Sequence, residues 1–188
     1  MRFLIIFHSV TGNNYLMARY FEDIISESGH LATLKRVRDE SIDTLKSTIN
    51  LINEYYDEIK SVEIVKPEDM LESDVIIFGS PTYFGLCSGA IKTFMDDTCE
   101  FWGNSSLFSK KMMAYTTVGD INGGGESCLK SMLTYAHHMG MEFVPVKPEY
   151  TFEKEFSSYG LKHCAGEDAS VRPPESIKEA IRKWIKSI

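Results

Sequence analysis

The residues best able to do chemistry lie in three short stretches, each directly behind a run of apolar residues. Ser9-Val10-Thr11-Gly12-Asn13-Asn14 stands between an apolar hexapeptide and a segment of helical periodicity. Hydroxyls, small residues and free backbone N–H groups at a helix N-terminus wrap an anion, and the helix dipole adds about 0.3–1 kcal/mol. The loop taken alone is also compatible with an ordinary Ser/Thr/Asn helix cap. It lacks the Gly-Lys-Ser/Thr ending of a Walker loop and the Gly-x-Gly-x-x-Gly of a dinucleotide fold, so a mononucleotide phosphate is the better match.

The second stretch is Gly79-Ser80-Pro81-Thr82-Tyr83-Phe84-Gly85. Pro81 pushes Ser80 out of helix, the glycines allow close approach to backbone, and Tyr83 and Phe84 offer an aromatic wall for a flat ligand. The third holds Thr116, Thr117, Val118, Gly119 and Asp120, followed by Gly123, Gly124 and Gly125, and is rich in small residues and donors.

Elements must bring these loops together. Arg2–Phe7 and Val75–Gly79 are apolar without alternation, the pattern of strands covered on both faces. Asn13–Ser28 places Met17, Phe21, Ile24 and Ile25 on one helical face. Leu31–Val37 reads as a strand, and Ile42, Leu45, Ile49, Ile52, Tyr56 and Ile59 predict one long helix with a buried stripe. Met112–Val118 and Glu142–Val146 supply two more strands, with helices over 87–102 and 126–139. A last helix follows Pro173-Pro174, carrying Ile177, Ile181, Trp184, Ile185 and Ile188. Pro148 to Pro173 reads as a long polar loop beside the site.

Alternating strands and helices with right-handed crossovers predict an α/β doubly wound sheet of five parallel strands, with helices on both faces. Such sheets bind ligands where the strand order reverses, at the carboxyl edge that all three loops share. No linker or repeat divides the chain, so residues 1–188 are expected to form one domain.

Composition removes several alternatives. A net charge of −7 opposes binding to a nucleic-acid backbone, and no apolar run reaches the ~20 residues of a spanning helix. The first strand is followed by Ser9, Thr11, Gly12 and Asn13 where a signal peptide would remain apolar, which points to the cytoplasm. Cys87, Cys99, Cys128 and Cys164 are too dispersed for an iron–sulfur cluster and fit free thiols in a reducing compartment. His137 and His138, successive on a helix, point about 100° apart and cannot chelate one metal; no metal site is expected. No serine has the flanking glycines of a hydrolase elbow.

The ordered stretches VIIFGSPTYFG, SGAIKTFMDDT, Trp102, the GGG loop, AHHMGMEFVPV and the closing YG…AGEDASVRPP resemble the flavodoxin superfamily, and within it the WrbA-type NAD(P)H:quinone oxidoreductases. The resemblance implies a flavodoxin-like sheet of order 2-1-3-4-5 and one FMN. Phosphate contacts would come from Ser9, Thr11, Gly12, Asn13 and Asn14, and ring contacts from Pro81, Thr82, Tyr83, Phe84 and Gly85. Thr116, Thr117, Val118, Gly119 and Gly124 would line the third loop. His138 matches the position beside the flavin ring, and Trp102 matches an aromatic that walls the substrate pocket across subunits; with Tyr83 they form the implied catalytic set. The implied reaction takes electrons from NADH or NADPH to a quinone or similar small acceptor, in a homo-oligomer, a dimer or tetramer. The alternative is a flavodoxin-like carrier that passes electrons to a redox protein without NAD(P)H turnover. Three departures stand out: Asn14 replaces a Ser/Thr, Tyr83 occupies a place where relatives commonly carry Arg, and the stretch between Tyr150 and Tyr159 is shorter and lacks the relatives' Arg-Gly-Gly.

Overall fold

The computed structural model describes residues 1–150 and 157–188. The shortened stretch noted above falls largely on 151–156, outside the described residues. The chain runs β1 (Arg2–Phe7), α1 (Asn13–Glu27), β2 (Leu31–Arg36), α2 (Ile42–Leu45), α3 (Tyr56–Ser61), β3 (Val75–Tyr83), β4 (Leu86–Cys87), α4 (Gly89–Asp97), α5 (Cys99–Gly103), β5 (Lys111–Val118), α6 (Gly125–His138), β6 (Glu142–Phe143), β7 (Leu161–Cys164) and α7 (Glu175–Ile185).

β1 and β3 are buried on both faces, and the pleat sends alternate residues to opposite layers. Phe3, Ile5 and Phe7 join α1 and α7 residues in one cluster, while Leu4, Ile6, Ile76 and Phe78 join Ile91, Phe94 and Leu129 in the other. The parallel ladder puts β1 between β2 and β3, with β5 beyond β3. Phe7 pairs with Gly79, and Pro81 with Thr117, so the three loops leave the sheet at one edge.

The sheet has seven strands rather than the five expected. β4 forms an antiparallel hairpin with the end of β3. Beyond β5 the edge position is divided: β6 pairs with Lys111 and Met112, and β7 with Tyr115 to Val118. The ladder ends with Val144, whose N–H makes the last rung to the Met112 carbonyl at 2.9 Å; the next would come from Val146 N–H, which donates instead to the Ser158 carbonyl at 3.2 Å. The chain leaves the ladder there and returns through Gly160, at φ 146°, where a side chain would strike the Ala114 carbonyl. The strand expected over Glu142–Val146 is therefore two residues long, and the expected polar loop contains β7.

The long helix expected over 42–59 is three pieces: α2, a 3-10 turn at Asn50–Glu54, and α3. Ser47 and Thr48 hydroxyls bond the Thr44 and Leu45 carbonyls, a local competition that disfavours continuation, and Ile49 is extended. The stripe survives in part: Ile42, Ile52 and Ile59 are buried in the core, Leu45 and Tyr56 are half-buried, and Ile49 is exposed. Among the described residues no helix is long and apolar enough to cross a membrane, and all four cysteines are free.

Candidate functional site

A cleft of about 290 Å³ opens at the carboxyl edge, lined by Ser9, Thr11, Asn13 and Asn14 from the first loop, Pro81, Thr82 and Tyr83 from the second, and Thr117, Val118 and Gly119 from the third. Gly12 carries the turn into α1 at φ 98°, and a Cβ there would overlap the Tyr55 ring. No side chain caps α1 and no acidic residue stands in its first turn. Its first N–H groups are thus left for an anion.

Asn14 is buried. Its Nδ2 donates to Thr117 Oγ1 at 2.9 Å, and its Oδ1 has no partner. From beneath, the Tyr115 hydroxyl donates to the Asn14 carbonyl at 3.0 Å; complete burial pushes that phenol well above its ordinary range, so it stays a donor. Gly79 makes room for it, because a Cβ there would lie 2.0 Å from Tyr115 Cζ and 2.2 Å from its hydroxyl oxygen. Asn13 is engaged differently: its Nδ2 donates to the Ala169 carbonyl at 2.7 Å, leaving its backbone N–H rather than its amide for a ligand.

Thr116 is buried under the cleft instead of lining it. It donates to the Ser80 carbonyl at 2.7 Å and meets Thr82 Oγ1 at 2.8 Å, tying the second loop to the third. Gly85 and Gly124, both with positive φ, touch behind the cleft: a Cβ on Gly124 would lie 2.8 Å from Gly85 Cα. Partial burial, with a smaller contribution from the Asp39 carboxylate, raises the Tyr83 phenol, so this cleft side chain is a neutral hydroxyl near pH 7. Asp39 itself would be raised by burial, but hydrogen bonds from His8 and Ser41 outweigh this and hold it well below the carboxylate range.

Phe84 and Gly85 form the two-residue turn between paired Tyr83 and Leu86, at φ 52° and 78°. Both central residues of such a turn need positive φ, a conformation that favours Asn-Gly and costs a bulky residue about 1–2 kcal/mol. Phe84 is also fully exposed. Phe84→Asn is accordingly expected to stabilise the fold by about 1 kcal/mol, read as a higher denaturation midpoint at unchanged slope. A lower midpoint would show that the ring packs on something that holds it there.

His138 and Trp102 lie elsewhere. His138, exposed at the end of α6, lines a second, mainly apolar cavity of about 350 Å³ with Leu86, Cys87, Met95 and Tyr135. Trp102, on α5, is 62% exposed and lines neither cavity. The fourth wall of the cleft, Ala165, Gly166, Glu167 and Ala169 beyond β7, comes from the stretch expected beside the site, although sequence reasoning named none of these as site residues, nor Leu45 at the end of α2 and Ile49 beyond it. Among the described residues no group of three or more His, Cys, Asp or Glu could hold a metal.

The family described as NADPH-dependent FMN reductase matches residues 1–155. An NAD(P)H dehydrogenase (quinone) from Archaeoglobus fulgidus is 36% identical over 163 residues, covering 85% of this chain and 83% of that protein. A protein of the same description from Deinococcus radiodurans is 27% identical over 191 residues, covering 99% and 94%. A solved structure described as a flavodoxin, WrbA-like protein from Agrobacterium tumefaciens superposes with a TM-score of 0.69, over 98% of this chain and 93% of that one. At 18% identity that likeness establishes a flavodoxin-like fold.

Proposed function

Because the chain belongs to the NADPH-dependent FMN reductase family, we propose that residues 1–188 form one FMN-binding domain that transfers electrons from NADH or NADPH to a quinone or similar small acceptor. The buried, partnerless Asn14 Oδ1 beside an uncapped helix N-terminus carries the reading. A lone acceptor needs a donor, which a phosphate dianion lacks and a ribityl hydroxyl supplies. The two observations side by side, an anion site and an acceptor for a hydroxyl, suit a sugar-alcohol phosphate.

The residues therefore fit FMN. Ser9 and Thr11 hydroxyls and the N–H groups of the first turn would hold the phosphate, Asn14 would take a ribityl hydroxyl, and Pro81, Thr82, Tyr83 and Gly119 would flank the ring. A single phosphate loop among the described residues favours FMN over FAD. FMN, when bound, supplies the two-electron chemistry, accepting hydride from a nicotinamide and returning it to an acceptor. The chain's contribution is position and dielectric. Tyr83 offers a neutral hydroxyl at the ring edge, and the β3–β5 tie through Thr82 and Thr116 keeps the second and third loops at fixed spacing. His138 and Trp102 lie away from the cleft within one copy; they would serve the acceptor across the interface of a homo-oligomer, where the exposed Trp102 ring would find cover. Four free thiols suit the cytoplasm.

Heat-released cofactor that migrates as FMN, together with quinone-dependent oxidation of NADH or NADPH, is the expected result. Release of FAD, or an apoprotein that ignores added FMN, would refute the cofactor assignment. Bound FMN without NAD(P)H turnover would replace the enzyme with a carrier.

A further inference from the structure

The first loop has no cation of its own. Residues 9–14 include no Lys or Arg, and none lines the cleft. A guanidinium nevertheless reaches the loop from behind, on the arm that follows β7 and outside the 1–155 matched to the family. Arg172 Nη1 donates to the Thr11 carbonyl at 2.7 Å and to Asn13 Oδ1 at 3.2 Å. Its Nη2 pairs with Glu54, and its Cζ lies 5.0 Å from the centre of the Tyr55 ring. Since Asn13 Nδ2 is held by the Ala169 carbonyl, both ends of that amide are fixed by the arm. The Arg172 side chain is 24% exposed and its Glu54 partner 47%, so the carboxylate sits toward water and the guanidinium toward the loop.

Two physical consequences follow from this contact. A trans peptide points its C=O and the next N–H in opposite directions, so holding the Thr11 carbonyl on Arg172 turns the Gly12 N–H to the other side of the loop. Gly12 must hold φ 98° there, and a loop fixed in advance loses less entropy when it closes on an anion. The buried side of the guanidinium also brings a positive charge behind a loop that otherwise offers only dipoles, and its planar fork serves two acceptors at once in a way an ammonium does not.

We propose that Arg172 is a positioning residue for the phosphate monoester of the flavin, and that it makes the site select phosphorylated flavin over riboflavin. This rests on the FMN reading above, and riboflavin separates the two ideas because it keeps the ring and ribityl chain and lacks the phosphate. Dissociation constants for FMN and riboflavin would be measured by flavin fluorescence on the apoprotein, for the wild type, Arg172→Met and Arg172→Lys. Arg172→Met should raise the FMN constant ten-fold or more while moving the riboflavin constant less than two-fold. Arg172→Lys, which keeps charge and loses the fork, should raise the FMN constant about three-fold, again with riboflavin unmoved; it carries the test alone if the Met variant does not fold. Equal weakening toward both flavins would reduce Arg172 to a structural tie, and no change toward either would remove it from the site; both overturn the proposal and leave the FMN reading standing. A wild-type protein that binds neither flavin overturns both.

Discussion

Thr11→Asp should leave the protein folded and strip it of FMN. Thr11 is half-buried at the cleft rim, one residue before the glycine that opens α1. Its carbonyl, not its side chain, is what Arg172 holds, so the substitution leaves that contact in place. A carboxylate ahead of a helix N-terminus is favourable to the helix by about 0.3–1 kcal/mol, and the denaturation midpoint should stay level or rise slightly. For the ligand the sign reverses. A carboxylate about 4 Å from a phosphate charge at an effective dielectric near 20 costs about 4 kcal/mol, and ten-fold in affinity is about 1.4 kcal/mol, so FMN affinity should fall by two orders of magnitude or more. Riboflavin binding should change far less. Thr11→Ser, which keeps a hydroxyl, should bind FMN nearly as the wild type does. A Thr11→Asp protein that retains FMN through purification would mean the anion site is not this loop.

What the sequence made legible follows from burial. β1, the first four residues of β3 and the middle of β5 are apolar without alternation because both faces are covered there, and α7 shows its stripe because one face is. Periodicity reports which residues are buried, though, and not whether the backbone between them is continuous. That is why Ile42, Ile52 and Ile59 are all in the core while the helix joining them is broken at Ser47 to Ile49. β7 escaped for the opposite reason: Leu-Lys-His-Cys is short, polar and at an edge, with no apolar run to betray it. The early end of β6 was equally hidden: Val146 N–H turns to the Ser158 carbonyl, and β7 takes the vacated place beside β5, so the exchange depends on where the chain returns.

The site divides in the same way. Loops directly after strands were readable from their Gly, Ser, Thr and Asn content, and ten of the residues so marked share one cleft. Thr116 and Thr117 look alike in sequence, yet one is tied beneath the sheet edge and the other faces the cleft. Arg172 and the Ala165–Ala169 wall reach Thr11 and Asn13 across more than 150 positions, a contact that no local spacing encodes. The second cavity, with His138 on its wall, arises because the β3–β4 hairpin separates α6 from the cleft, and only the fold specifies that partition.

The two tryptophans should respond to truncation in opposite ways. Trp184 is wholly buried on α7, its ring edge-on to Phe21 at 6.2 Å. Trp184→Ala should cost about 3–5 kcal/mol of stability, a large share of the ~5–15 kcal/mol typical of a domain. Trp184 Nε1 has no partner in its buried site, so Trp184→Phe, which removes that unsatisfied donor along with some volume, should cost clearly less than the alanine variant. Activity per folded molecule should be unchanged in both. Trp102, 62% exposed, has little packing to lose, and Trp102→Ala should stay within about 0.5 kcal/mol of the wild type. Its effect should fall on turnover instead: kcat/KM for quinone should drop about ten-fold, or 1.4 kcal/mol of transition-state stabilisation, with FMN still bound. His138→Ala should behave as Trp102→Ala does. Denaturation and quinone turnover measured on the same preparations separate the cases. Full turnover in the Trp102 variant would take the exposed ring out of the acceptor site, and turnover lost from folded Trp184 variants would show that the core packing under α1 controls the cleft.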